Sequence, residues 1–209
     1  MLDLSTLGAF IVVVIGLFLI PGPAVFLTIT RAAQGGHKTG IMTGLGIATG
    51  DFLHVLLAAV GFSAILMTSA VAFNVVKFVG AAYLLYMGIR AIFAKTATSK
   101  MPDVSHVSAA RAYGHGVLVE ALNPKSALFF LALFPQFVHP EKGSTLAQFL
   151  TLGVIFVVMS ILYTSTLSIG TGTITRWMKR GSSGFGRWGN KFVGLVYIVI
   201  GLRVVFQSR

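Results

Sequence analysis

From Leu4 to Thr30 the chain runs without a charged residue, and from Gly143 to Thr175 it does so again. About 20 mostly apolar residues suffice to carry a helix across the roughly 30 Å of hydrocarbon in a bilayer. Runs of this length therefore constrain the fold more than any other feature of the sequence. The rest of the composition agrees. Charged residues make up 10% of the 209, hydrophobic residues 56%, and the mean hydropathy is +0.88. Soluble domains carry about 25% charged residues, so a water-facing surface of ordinary polarity cannot be assembled and a soluble enzyme is excluded. The net charge of +11 does not indicate a nucleic-acid module, because such modules are polar throughout and cluster Lys and Arg on one face. With no cysteine, disulfides, thiolate metal sites and thiol nucleophiles are excluded as well.

Six spans are predicted: Leu4 to Thr30, Thr39 to about Met67, about Val75 to Ala94, about Ala112 to Val138, Gly143 to Thr175, and about Trp188 to Phe206. The first is too long, and too broken by glycine and proline, for a signal peptide. Arg31 to Lys38 forms a short polar turn, Lys95 to Arg111 the one long polar connection, His139 to Lys142 a tight loop, and Arg176 to Lys191 a basic, glycine-rich loop. Each span satisfies its own backbone in lipid only as a helix. Positive residues stay on the cytoplasmic side. With both termini outside, 11 Lys and Arg fall on inner loops and margins, 4 fall outside, and Lys125 remains within the membrane.

The chain also repeats itself. Lys77-Phe78-Val79-Gly80, Tyr83, Gly88 and Arg90 of span three match Lys191-Phe192-Val193-Gly194, Tyr197, Gly201 and Arg203 of span six, with one residue of slippage. Pro21, Ala24 and Phe26 of span one match Pro124, Ala127 and Phe129 of span four. Three spans per half is odd, so the second half enters the membrane inverted. The expectation is an all-α membrane protein forming one transmembrane domain over 1–209. Its two inverted three-helix repeats cover about 1–95 and 105–209, with helices 1 and 4 broken. Secondary transporters are built this way and bind cargo near the midplane on discontinuous helices. A duplication retained only as a scaffold is the alternative.

Several residues are out of place in hydrocarbon. Pro21 and Pro23 flank Gly22 and remove nearby backbone hydrogen bonds, so span one should unwind there, about 25 Å from Leu4. Asn123-Pro124-Lys125 does the same in span four. Asp51 lies roughly 20 Å past Lys38, and an intramembrane carboxylate is a functional hypothesis by default. His54, three residues on, shares its face and either relays a proton or bonds a nearby carbonyl. Glu120 stands one turn before Pro124. Lys125 either pairs with these acids or, with the helix N-terminus after Pro124, attracts a substrate carboxylate while an acid receives the ammonium. Gly40/Gly44 and Gly46/Gly50 are spaced for close helix packing. Without a Walker sequence, ATP is not the expected energy source, and no cofactor or bound metal is expected.

Together, Pro21-Gly22-Pro23, the glycine run ending at Asp51, Asn123-Pro124-Lys125, and the Gly80…Tyr83-Leu84…Gly88 and Phe134-Pro135-Gln136-Phe137 words resemble the lysine-exporter superfamily, most closely its homoserine/threonine-exporter branch. The resemblance covers nearly the whole length. It implies a bacterial inner-membrane exporter of amino acids or similar small metabolites, driven by the proton gradient. Pro21, Gly22, Pro23, Ala24, Tyr83, Asp51, Asn123, Pro124 and Lys125 then contact cargo, and Asp51, Glu120 and His54 couple protons. Members of the branch often carry Asn directly after P-G-P, where Ala24 stands here, which implies a different or less polar cargo. The rivals are a cation or metal exporter or channel of the same architecture, an intramembrane enzyme, and a scaffold. The expected partners are an amino-acid-like solute and the bilayer, with no nucleic acid. The small-residue faces leave homodimerisation open.

Overall fold

The computed structural model describes residues 2–68 and 107–179, with isolated helical positions in 75–93 and 195–202. Most of spans three and six lies outside the described residues, including Tyr83 and, apart from Phe78, the repeated Lys-Phe-Val-Gly words. Every regular element described is helical: α1 (Leu4–Leu19), α2 (Pro23–Thr68), α3 (Ala109–Ala121), α4 (Pro124–Leu128) and α5 (Thr145–Lys179). Between α4 and α5 come a π turn (Phe129–Leu133) and two 3-10 turns (Phe134–Phe137 and Pro140–Lys142). Two stretches, Pro23–Gly61 and Thr145–Thr171, are long and apolar enough to cross a membrane. A third exists if the bent pair Ala109–Ala121 and Pro124–Phe137 is one span.

As an unbroken rod, the 46 residues of α2 would reach about 69 Å, more than twice the hydrocarbon thickness. Gly36 prevents this. Its φ of 79° and ψ of 172° interrupt the helix, a conformation that glycine adopts without a steric penalty. The chain turns back there, since a Cβ built on Gly40 would lie 2.6 Å from the Cβ of Ala32. The first arm (23–35) therefore continues α1, and the second (37–68) begins a new passage, as the polar turn predicted.

Glycines set how the second arm packs. Gly40 and Gly44 lie against Ser168 and Thr164 of α5, and Val55 lies against Gly153, so the two helices are antiparallel. Gly46 meets the backbone of Tyr113 and Val117, and Gly50 meets Glu120 and Ala121, so the arm runs parallel to α3. The small-residue spacing read from the sequence thus serves two neighbours at once. Gly116 of α3 returns the contact, its Cβ position lying 2.3 Å from the carbonyl oxygen of Thr43.

This arrangement defines two ends. Lys142 Nζ donates to Asp3 Oδ2 at 2.8 Å, putting the start of α1 beside the 140–142 turn. The Gly36 turn, the start of α3 and the end of α5 lie at the opposite end. Asp3 also caps α1 by accepting from Thr6 N at 3.0 Å. Lys142 and these Thr6 hydrogen bonds hold its carboxyl well below the usual carboxylate range.

Polarity is arranged inside out. Val12, Leu57, Val60, Leu162 and Ile169 are exposed, while Ser160, Thr164, Ser168 and Thr171 form a buried stripe on α5. Exposed apolar and buried polar faces suit a lipid surround. Toward the Asp3 end, an aromatic cluster of Phe10, Phe129, Phe130, Phe134, Phe149 and Phe156 fills the interior.

Candidate binding site at two helix breaks

Both predicted breaks are present. α1 stops at Leu19 and Ile20 turns extended before Pro23 opens α2. α3 stops at Ala121, and α4 departs at 46° after Asn123. Proline at the first helical position loses nothing there, because that amide would have no intrahelical partner. The carbonyl four residues earlier is the group that loses its donor. For Pro21 that carbonyl is Leu17, and for Pro124 it is Glu120.

Each orphaned oxygen is filled by a side chain from another helix. Lys125 Nζ donates to the Leu17 oxygen at 2.7 Å and to that of Ile20 at 2.8 Å. His54 Nε2 donates to the Glu120 carbonyl at 2.9 Å, and Asn123 N donates to the same oxygen at 3.0 Å. Phe18, also at the frayed end of α1, receives the Tyr163 hydroxyl at 2.7 Å. The two breaks are therefore adjacent, and Gly22 lies against the Lys125 stem, its Cβ position 3.7 Å from Cδ.

The acids gather at the same place. Asp51 and Glu120, each 2% exposed, bring their carboxyl groups within hydrogen-bonding reach of one another, and the Lys125 ammonium acts on both. Ser160 donates to Asp51 Oδ2 at 2.6 Å. Asn123 Nδ2 donates to Glu120 Oε1 and Oε2 at 3.3 and 3.2 Å, and Ser126 Oγ donates to Oε1. Asn123 also caps α4, its Oδ1 accepting from Lys125 N at 3.1 Å. Two acids and one ammonium thus meet beside unwound backbone, with the aromatic cluster on one side and the glycine-packed helices on the other.

Of the residues expected to contact cargo, Gly22, Asp51, Asn123 and Lys125 converge here, with Glu120 and His54. Pro21, Pro23 and Pro124 are exposed, and they shape the breaks from outside. Ala24 is half-buried on the first turn of α2, where its carbonyl accepts from Thr28 Oγ1 at 2.9 Å. His54 is engaged with a carbonyl and stacked on Phe130, ring centroids 5.7 Å apart. Span four is more broken than expected. Beyond α4 it passes through π and 3-10 turns, since Pro135 withdraws another backbone donor. The sequence reading missed Ser126, Ser160 and Tyr163. Ser160 left only an indirect signal, as one of four hydroxyl residues spaced along one face of the charge-free 143–175 run.

Among the described residues, no three His, Cys, Asp or Glu side chains come together to hold a metal.

Comparison with known proteins gives a consistent result. Residues 15–208 match the family described as LysE type translocator. The chain is 29% identical over 189 residues to the leucine efflux protein of Klebsiella pneumoniae subsp. pneumoniae, covering 90% of this chain and 89% of the relative. It is 32% identical over 163 residues to the homoserine/homoserine lactone efflux protein of Salmonella typhimurium, covering 78% and 79% respectively. No solved structure matches it.

Proposed function

Because the chain belongs to the LysE type translocator family, we propose that it is a secondary exporter of amino acids or related small metabolites, driven by protons across the bacterial inner membrane. One observation carries the reading: two broken helices meet at a buried pair of acids and an ammonium. Unwound carbonyls, acids and a cation in one place suit a zwitterion, and relatives named for leucine and homoserine efflux support that cargo class.

The proposed architecture is six spans in two inverted three-helix repeats, about 1–95 and 105–209. The paired breaks and the parallel course of the second α2 arm and α3 support it. Arg31, Lys38 and Arg111 lie toward the Gly36 end and Lys142 toward the other, which supports a cytoplasmic Gly36 end and outward termini. In the proposed cycle, Asp51 and Glu120 receive the cargo ammonium, and Lys125 meets the carboxylate when it leaves the α1 carbonyls. A proton arriving from outside weakens the grip of the two acids on the ammonium and releases cargo outward.

The test is growth on a panel of toxic amino acids and analogues in cells with and without the protein. Resistance with faster efflux of leucine-like or homoserine-like compounds is expected. Equal sensitivity and equal efflux across the whole panel would refute the export reading.

A further inference from the structure

Arg31 is 7% exposed, at the Gly36 end of the first α2 arm and away from the acid pair. Its Nη2 lies 2.9 Å from His115 Nδ1 on α3. A guanidinium only donates, so Nδ1 accepts, and the proton of this neutral ring sits on Nε2. Nε and Nη1 are buried with no hydrogen-bond partner among the described residues, and these two atoms hold three N–H groups. The ion pairs found among the described residues do not involve Arg31. An uncompensated buried cation is costly, and its planar N–H groups match a carboxylate better than any other small anion an amino acid offers. His115 precedes Glu120 by five residues on α3, about 7.5 Å along the axis.

We infer that Arg31, held by His115, is a docking point for the carboxylate of the cargo on its way from the Gly36 end to the acid pair. The identity of the cargo, and the direction of travel, rest on the export reading above. The binding of a small carboxylate does not. A molecule seated there by its carboxylate has its ammonium directed along α3 toward Glu120 and Asp51, so the two charged ends are recognised at different depths. Lys125, engaged with the α1 carbonyls, need not meet the carboxylate first.

The experiment uses the full chain in maltoside micelles, which contain no phosphate, and three probes: leucine, leucinamide and 4-methylpentanoate. Arg31→Gln should bind leucine and 4-methylpentanoate roughly ten- to hundredfold more weakly than the parent. Leucinamide, lacking the carboxylate, should bind weakly and equally to both. Arg31→Lys should recover part of the loss. Without ligand, the thermal midpoint of Arg31→Gln should equal or exceed that of the parent, since a buried unpaired charge has been removed. Retention of both carboxylates within about threefold overturns the proposal, and so does a marked fall in the unliganded midpoint, which identifies Arg31 as a structural tie. If the parent exports amino acids while Arg31→Gln keeps its affinity, only the docking point fails. If the parent exports nothing, the export reading fails, and the site is judged on 4-methylpentanoate binding alone.

Discussion

Lys125 shows what a half-buried cation does at this site. Its ammonium replaces the amide hydrogen that Pro21 cannot supply to Leu17, and reaches Ile20 as well. Lys125→Met should leave the Ile20 oxygen bare, the Leu17 oxygen with only the 3.3 Å bond from Ile20 N, and the acid pair without its counter-charge. Hydrogen bonds to charged groups contribute about 1.5–3 kcal/mol each, so a stability loss of about 3 kcal/mol and abolished transport are expected. Thermal unfolding in micelles, together with an efflux assay, checks this, and an unchanged midpoint would remove the capping role. The sequence singled out Asp51, Glu120 and Lys125, which the fold brings to one place, because a charge in an apolar run stands out. It did not reveal Ser160, because hydroxyl residues are common in apolar helices and usually bond the carbonyl four positions back, as Thr164 and Ser168 do. Only a partner helix in register makes Ser160 a ligand of Asp51.

At the scale of elements, the breaks and the Gly36 turn were legible because proline and glycine act on their own backbone. The contacts of the breaks were not. Lys125 and Leu17 are 108 residues apart, and nothing local pairs them. The glycine run was read as packing, and the geometry adds which neighbour each glycine meets. A Cβ on Gly46 would lie 2.1 Å from the backbone oxygen of Tyr113, an atom that cannot step aside. Gly46→Leu should therefore force the second α2 arm and α3 apart, at a cost of about 1–3 kcal/mol or more. Gly114→Ala is the control, with nothing within 4 Å of its Cβ position. Thermal stability and the yield of monodisperse protein should fall for the first and hold for the second. Equal behaviour would contradict the close approach.

For the whole molecule, proton coupling is the property to test. Asp51→Asn keeps the bond from Ser160 but cannot lose a proton, so vesicles with an imposed pH gradient should show export that no longer responds to the gradient. Full gradient-driven export by that variant would remove Asp51 as the coupling group. The sidedness argued from Lys and Arg rests on a bias in composition, while the neighbours of each passage emerge only from the assembled helices. One feature of that assembly bears on slippage. In hydrocarbon, a carbonyl without a donor costs several kcal/mol, so whatever draws Lys125 off α1 must leave a substitute behind. On the export reading proposed above, a polar group of the entering cargo supplies that substitute; an unloaded molecule lacks one, and the two breaks stay tied, which curbs futile turnover at the level of a main-chain oxygen.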